Sequence, residues 1–472
     1  LPTKEFDIVV VGAGTAGAAA AYQFAIQGRR VALVEQRELG EAGARWINGV
    51  APWMFDRAGL ERPVAPELRG RDGAFLLYSS DGRHHVRVER SPVWQLDMRH
   101  LVARLQQLAM AAGVVVFPKY RSADFVFEGG RPTELVLRAQ AGGISSERLR
   151  AKLFVDATGI VGALRRKVTG MAQVCVSPGN QDVCSAAQEV RRIRNRAEAR
   201  RWLDAHGAAP GDSVGYVGVD GGFSTLSVQI DFKHGEVDLL SGSTADGTHR
   251  SGPKLIADFV QREGWIGRKV FGGSGAIPLR RPYAAMVAPG IALVGDSACQ
   301  VFPAHGSGIG TGLIAGRLLA EATAERADPG ERSGLWRYQH AFMREVGAVS
   351  AAYDVIRQLS QRLSDEEAIS LIASGLTTPA LASATLAQEM ASPSIGDLAG
   401  LLQGVRAAPK LAAKLAPAIA KMRAAHLLYR GFPENPDGLW AAMWERLHAR
   451  LFPAPAPMAA NEPEFESFRE AA

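Results

Sequence analysis

Two kinds of apolar run alternate along this chain. One kind is short and continuous: FDIVVV (6–11), VALVE (31–35), VVVF (114–117), AKLFVDATG (151–159) and APGIALVGDSA (288–298). Such runs predict strands of a parallel sheet, buried on both faces. Between them lie stretches with helical spacing: AAAAYQFAIQGRR after the first run, LDMRHLVARLQQLAMAAG (96–113) and TGLIAGRLLAEATAERA (311–327). Gly113 is placed to cap the second of these helices. A different pattern fills the middle of the chain. HHVRVER (84–90), STLSVQIDF (224–232) and EVDLLSG (236–242) alternate polar and apolar positions. That predicts half-buried antiparallel strands. Residues 335–452 are rich in Ala and Leu and read as helical, with APKLAAKLAPAIAKMRAAHLLYR amphipathic and divided by Pro409 and Pro417.

The strand ends carry the chemistry. FDIVVV runs into Gly12-Ala13-Gly14-Thr15-Ala16-Gly17, and the next strand ends at Glu35. Strand, G-x-G-x-x-G, helix, strand and acid within about 30 residues form a dinucleotide-binding unit. Gly12 permits the tight turn, Gly14 lets a pyrophosphate approach the backbone, and Gly17 lets helix pack on strand. The helix N-terminus offers free N–H groups and partial positive charge to phosphates, and Glu35 is placed to accept from a ribose. The competing reading, a turn that only links strand to helix, does not account for the acid. A second strand ends at Asp156, followed by Thr158 and Gly159, which alone is equally an ordinary turn. A third ends at Gly295-Asp296. There Pro303 sets a turn, and Gly306, Gly308 and Gly310 lead into the helix TGLIAGRLLAEATAERA. Glycines at alternate positions imply a group held against the backbone, and a helix N-terminus favours a group that carries negative charge when reduced.

These three elements, in this order, resemble the glutathione-reductase-like FAD-dependent oxidoreductases. That group includes p-hydroxybenzoate hydroxylase, the flavin-dependent halogenases and the geranylgeranyl reductases. GGSGAIPLRRPYAAMVAPGIALVGDSA (272–298) and DVCSAAQEV (182–190) are closest to the geranylgeranyl reductases. The resemblance covers roughly residues 5–345. It implies an α/β fold, in which an FAD-binding Rossmann domain adjoins an antiparallel β-sheet substrate domain and a C-terminal helical region. The implied FAD domain is discontinuous (1–80, 95–172 and 278–345). The substrate domain takes 81–94 and 173–277, a helical cap takes 346–452, and a Pro- and Glu-rich tail at 453–472 is expected to be disordered. The chain departs from the reductases in having Gly43-Ala44-Arg45-Trp46-Ile47-Asn48 where they carry a Cys-Gly pair, and it lacks the halogenases' Trp-x-Trp-x-Ile-Pro.

The resemblance implies FAD as cofactor and an isoalloxazine ring against the 303–310 loop. FAD contacts are expected from Gly12, Gly14, Gly17, Glu35, Gln36, Arg37, Arg45, Gln95, Arg99, Thr158, Gly159, Asp296, Pro303, Gly306, Gly308 and Ile309. A surface salt bridge is the alternative for Arg99. His305, Trp46 and Asn48 are the catalytic candidates. His305 would orient substrate or relay a proton near neutral pH, against a plain structural role, and Trp46 has burial as its alternative. The expected reaction is hydride transfer, of reductase or dehydrogenase type, on a hydrophobic or carrier-tethered organic substrate. A monooxygenase or halogenase working through a C4a-hydroperoxide is the alternative. An electron-transfer subunit without substrate is a third reading. An external donor is required: reduced nicotinamide, a flavin reductase or ferredoxin.

Composition narrows this little. The 472 residues carry a formal charge of +6, too modest to imply nucleic acid. Three cysteines make no disulfide framework, so a cytoplasmic location is expected. No run approaches a membrane span, and no HExxH or CxxC suggests a metal. EVRRIRNRAEARRWLDAHG (189–207) packs six arginines into 191–201. It reads as a solvated helix face or, less favoured, as a docking surface for an acidic carrier, peptide or phosphorylated substrate. Membrane-surface contact by the C-terminal helices is allowed but not favoured over core packing.

Overall fold

The structure is a computed structural model and describes residues 2–139, 146–392 and 394–453. The continuous apolar runs become one six-stranded sheet. Its order is Val287–Ala288, Ile291–Leu293, Leu153–Asp156, Ile8–Val11, Val31–Val34, Val115–Phe117. All neighbours are parallel except the first pair. Every residue of Ile8–Val11, Val31–Val34 and Leu153–Asp156 is buried, as strands covered on both faces must be. Register places Asp156 beside both Val11 and Leu293, and Val11 beside Val34. The three glycine-and-acid turns therefore leave one edge of one sheet.

Two helices cross beneath that edge, Thr15–Ala25 and Ile309–Thr323. They approach through small residues. A Cβ on Gly316 would stand 2.9 Å from the Ala20 nitrogen, and one on Gly312 would stand 3.0 Å from the Ala16 Cβ. This brings the N-terminal ends of both helices to the same place.

The alternating runs form a seven-stranded sheet: Ile266–Pro278, Val183–Ile193, Glu236–Thr244, Ser224–Asp231, Ser213–Val217, Phe75–Tyr78, His85–Val88. One face carries Leu226, Val228, Val237 and Leu239 against Ala199, Leu203, Ile256 and Phe259 of two covering helices. The other face looks toward the segment at Trp46 and Ile47. Phe75–Tyr78 pairs with Ser213–Tyr216. The expected boundary at residue 80 therefore falls inside a hairpin of this sheet, which takes in residues 75–78.

Two further expectations are corrected. Residues 189–207 are not one helix: Val183–Ile193 is strand, and only Arg196–Ala205 is helical. Pairing with strands on both sides overrides the helix-forming composition. Pro417 does not divide the C-terminal helix, which runs unbroken over Pro409–Arg430. Ala413, whose carbonyl loses its intrahelical donor there, lies on the exposed side, open to water. All of the proposed tail except Pro453 lies outside the described residues.

Candidate functional site

The first turn is held from both sides. Gly12 has φ +104°, and a Cβ on it would stand 2.2 Å from the Ala157 carbonyl oxygen. A Cβ on Gly17 would lie 1.8 Å from the Gly12 oxygen. A Cβ on Gly14 would meet the Gly43 Cα at 3.3 Å. In the protein alone, then, Gly14 makes room for the 43–45 segment. Glu35 is buried and accepts from the Ala13 amide at 3.0 Å and the Arg37 amide at 3.0 Å. Gln106, buried on the Met98–Ala111 helix, donates to the carbonyls of Ala13 (2.9 Å) and Leu39 (3.0 Å). Sequence reasoning missed it, since a glutamine on a helix carries no local signal. The first turn of Thr15–Ala25 has neither a capping side chain nor an acid, so its amides remain for a ligand.

The second turn is built by Asp156, fully buried. Its carboxylate accepts from the Thr158 amide (3.0 Å) and hydroxyl (2.7 Å) and from the amides of Leu164 (2.9 Å) and Arg165 (2.8 Å). The Thr158 hydroxyl also accepts from the Ala163 amide. Gly159, at φ +71°, would point a Cβ into open space. Arg165 is another residue missed from sequence. It is buried and donates to the carbonyls of Ser297, Cys175 and Ile160, tying the second turn to the third.

The third turn rests on the first helix: a Cβ on Gly295 would stand 2.9 Å from the Ala16 Cβ. Asp296 keeps part of its surface open, yet its carboxyl is enclosed enough for burial to push its pKa up to about 6. A Cβ on Gly308 would lie 3.0 Å from its Oδ1. Pro303 is buried, Gly306 takes φ +74°, and Ile309 opens a helix whose N-terminus also lacks a side-chain cap. A Cβ on Gly310 would strike the Met54 Sδ at 1.9 Å.

The remaining candidates are scattered around these turns. Gln36, Arg37 and Arg45 are exposed; Arg37 Nε stands 3.8 Å from Glu35, and Arg45 donates to the Gly40 carbonyl. Asn48 and Gln95 lie on paired strands of a three-stranded sheet. Arg99 chelates Asp97 at 2.9 and 2.6 Å and stacks 3.5 Å over Phe271. Trp46 lies against the glycines of the Ile266–Pro278 strand, 3.9 Å from a Cβ on Gly273 and 3.7 Å from one on Gly275. His305 Nε2 is 3.2 Å from the Thr385 carbonyl, and its ring packs on Phe302. The ring keeps an exposed edge, but the protein packed around it lowers its pKa to about 4. It is therefore neutral at pH 7.

Residues 7–203 match the family model described as FAD dependent oxidoreductase. The chain is an FAD-dependent oxidoreductase. The site fits that cofactor. Two uncapped helix N-termini supply amide donors for a diphosphate and for the charged end of a flavin. Asp296 supplies a carboxylate with no hydrogen-bond partner among the described residues, and glycines stand where side chains would fill the cradle. Among curated proteins, the oxidoreductase is 25% identical over 455 residues to the digeranylgeranylglycerophospholipid reductase of Sulfolobus acidocaldarius, covering 94% of this chain and 96% of that one. It is 28% identical to the enzyme of the same name from Methanothrix thermoacetophila, over 76% and 89%. Among solved structures, a geranylgeranyl bacteriochlorophyll reductase-like protein from Thermoplasma acidophilum superposes with TM-score 0.71 at 18% identity, covering 89% of this chain and all of that one. A flavin-dependent brominase gives 0.60 at 14%, over 87% and 100%. Among the described residues no group of side chains could hold a metal, and no helix is long and apolar enough to cross a membrane.

Proposed function

We propose that this oxidoreductase reduces a carbon–carbon double bond in an extended hydrophobic substrate. The observation that carries the reading is the inner face of the seven-stranded sheet. Register aligns Gly273, Gln188, Leu240, Ser227, Gly215 and Leu77 in one row across it. Gly273 and Gln188 lie over the FAD-domain segment, where Trp46 touches the glycine and the Ile47 amide donates to the Gln188 Oε1 at 3.3 Å. At the far end Leu77 packs with Val86, Ile372 and Ala382 beneath the helical cap. Between them Leu240 is 41% exposed. A charge-free strip from the cofactor segment to the cap, with Gln188 and Ser227 as its polar members, suits a long hydrocarbon better than a small polar molecule.

FAD supplies the hydride chemistry when bound. The chain's own residues hold and shield it. The Thr15–Ala25 amides take the diphosphate, Glu35 and Asp296 accept from hydroxyls, and the Ile309–Thr323 N-terminus stabilises negative charge at the ring. The roof strip excludes water and aligns the substrate. His305 and Trp46 are proposed to position substrate, with His305 neutral throughout. Trp46 does so from beneath Gly273. The similarity to the phospholipid reductases, over 94% of the chain for the Sulfolobus enzyme and 76% for the Methanothrix one, supports the same reading; an external donor is still required.

The test is to reduce the flavin anaerobically and mix it with polyprenyl alkenes, free and lipid-linked. Reoxidation of the flavin, with product heavier by two hydrogens, is expected. If alkenes leave the reduced flavin untouched, and oxygen instead gives a transient near ~380 nm with hydroxylated or halogenated product, the reductase reading fails and an oxygen-activating enzyme replaces it.

A further inference from the structure

The C-terminal helices bury little and expose much that is apolar. On Leu439–Leu451, Ala441 and Trp444 face inward. Leu439, Met443 and Leu447 follow at four-residue spacing on the opposite side, with Leu439 87% exposed. Trp440 lies beside them, its indole N–H tied to the Gly431 carbonyl at 2.6 Å and its ring part-exposed. Leu427, 70% exposed, stands one turn before Gly431 on the preceding helix. The Ile395–Ala407 helix repeats the arrangement. Its single buried residue is Gly404, while Ile395, Leu398, Leu402 and Val405 line its outer side, with Ile395 88% exposed. Apolar outer faces on two helices of one cap call for a covering.

Charge identifies the covering. Residues 405–452 hold eight Lys and Arg against three Asp and Glu. Arg446 and Arg450 flank the Leu439–Met443–Leu447 stripe, and Arg423 lies between Ile419 and Leu427 on the Pro409–Arg430 helix. On the Pro409–Arg430 and Leu439–Leu451 helices, apolar side chains beside cations, with a tryptophan anchored by its N–H, match the boundary of an anionic bilayer. They match a second copy of the chain poorly, since the same cations would face each other.

We propose that this outer face docks the enzyme on an anionic lipid surface. The docking does not depend on the proposed reaction and can fail or hold separately from it. The experiment uses the full-length flavoprotein and flotation with vesicles of phosphatidylcholine alone or with about 30 mol % phosphatidylglycerol. Binding to the anionic vesicles is expected, falling at least tenfold in high salt as screening removes the attraction. Tryptophan emission should shift to the blue, and the shift should be lost in Trp440→Phe. Leu439→Glu with Met443→Glu, and separately Arg446→Glu with Arg450→Glu, should each abolish partitioning while flavin content is unchanged. No partitioning, or partitioning unchanged in both variants, overturns the proposal. So does a concentration-dependent dimer in sedimentation that the same substitutions dissolve, since the face would then be occupied by a second copy.

Discussion

Gly17→Ala tests how the cofactor turn is held. The new Cβ would stand 1.8 Å from the Gly12 oxygen and 3.0 Å from its carbonyl carbon. Both are backbone atoms, so no rotamer relieves the clash. Turn and helix must part until the closest contact reaches at least 3.0 Å. That retreat pulls Ala16 and Ala20 away from Gly312 and Gly316, the crossing that brings the two helix N-termini together. Overpacking of this kind costs roughly 1–3 kcal/mol. The proposed FAD site shares the displaced backbone, so affinity should fall at least tenfold, about 1.4 kcal/mol. Gly28→Ala is the control: its φ is +78° but nothing lies within 4 Å of the new Cβ. It should show only backbone strain, about 1–2 kcal/mol, and unchanged FAD affinity. The assay is titration of deflavinated protein with FAD, followed by flavin fluorescence, beside thermal melts. Gly17→Ala binding FAD within about twofold of the parent, under 0.5 kcal/mol, would refute the reasoning.

Other substitutions probe other parts. Burial pushes Asp238 up to about 7, with Glu236, Asp231 and Asp97 adding to the rise and Arg69 opposing it. Because the folded state holds the proton more tightly, stability falls as pH rises from about 4 to about 7. Asp238→Asn should flatten that fall in urea melts and stabilise at pH 8 by up to ~4 kcal/mol. His305→Gln should leave the pH–rate profile between about 5.5 and 8 without a lost or gained step, since the imidazole is already neutral there. A step that vanishes in the variant would restore it as a proton relay. Arg165→Met strands the buried carbonyls of Ser297 and Cys175 and the part-buried one of Ile160; at about 1–3 kcal/mol for each buried acceptor it should cost about 2–6 kcal/mol in a thermal melt, with weaker FAD retention.

The three turns proposed to hold FAD were readable from the chain as turns because each is local: a continuous apolar run, a glycine and an acid within a few residues. Their convergence was implied by the resemblance, and the register of one parallel sheet produces it. What was not readable comes from residues far away in sequence. Met54 lies under Gly310, Gln106 braces the Ala13 carbonyl from another helix, and Phe75–Tyr78 joins a strand near residue 215. None of these residues has an unusual neighbourhood in sequence. The arginine-rich stretch after residue 189 misled for the related reason that strand pairing on both sides outweighs local helix preference.

This division follows from how each site is made. A site that grips its ligand with backbone amides must thin out its side chains, and that thinning is written as glycines at fixed spacing. A site lined by residues drawn from six strands leaves no such mark. Gly273, Gln188, Leu240, Ser227, Gly215 and Leu77 become neighbours only through register, across nearly 200 positions of sequence. Leu240 shows the difficulty: within EVDLLSG it reads as one more strand residue, yet its exposure on the inner face makes it part of the proposed substrate strip. The cofactor could therefore be inferred from the sequence, while the substrate depends on an arrangement that only folding creates.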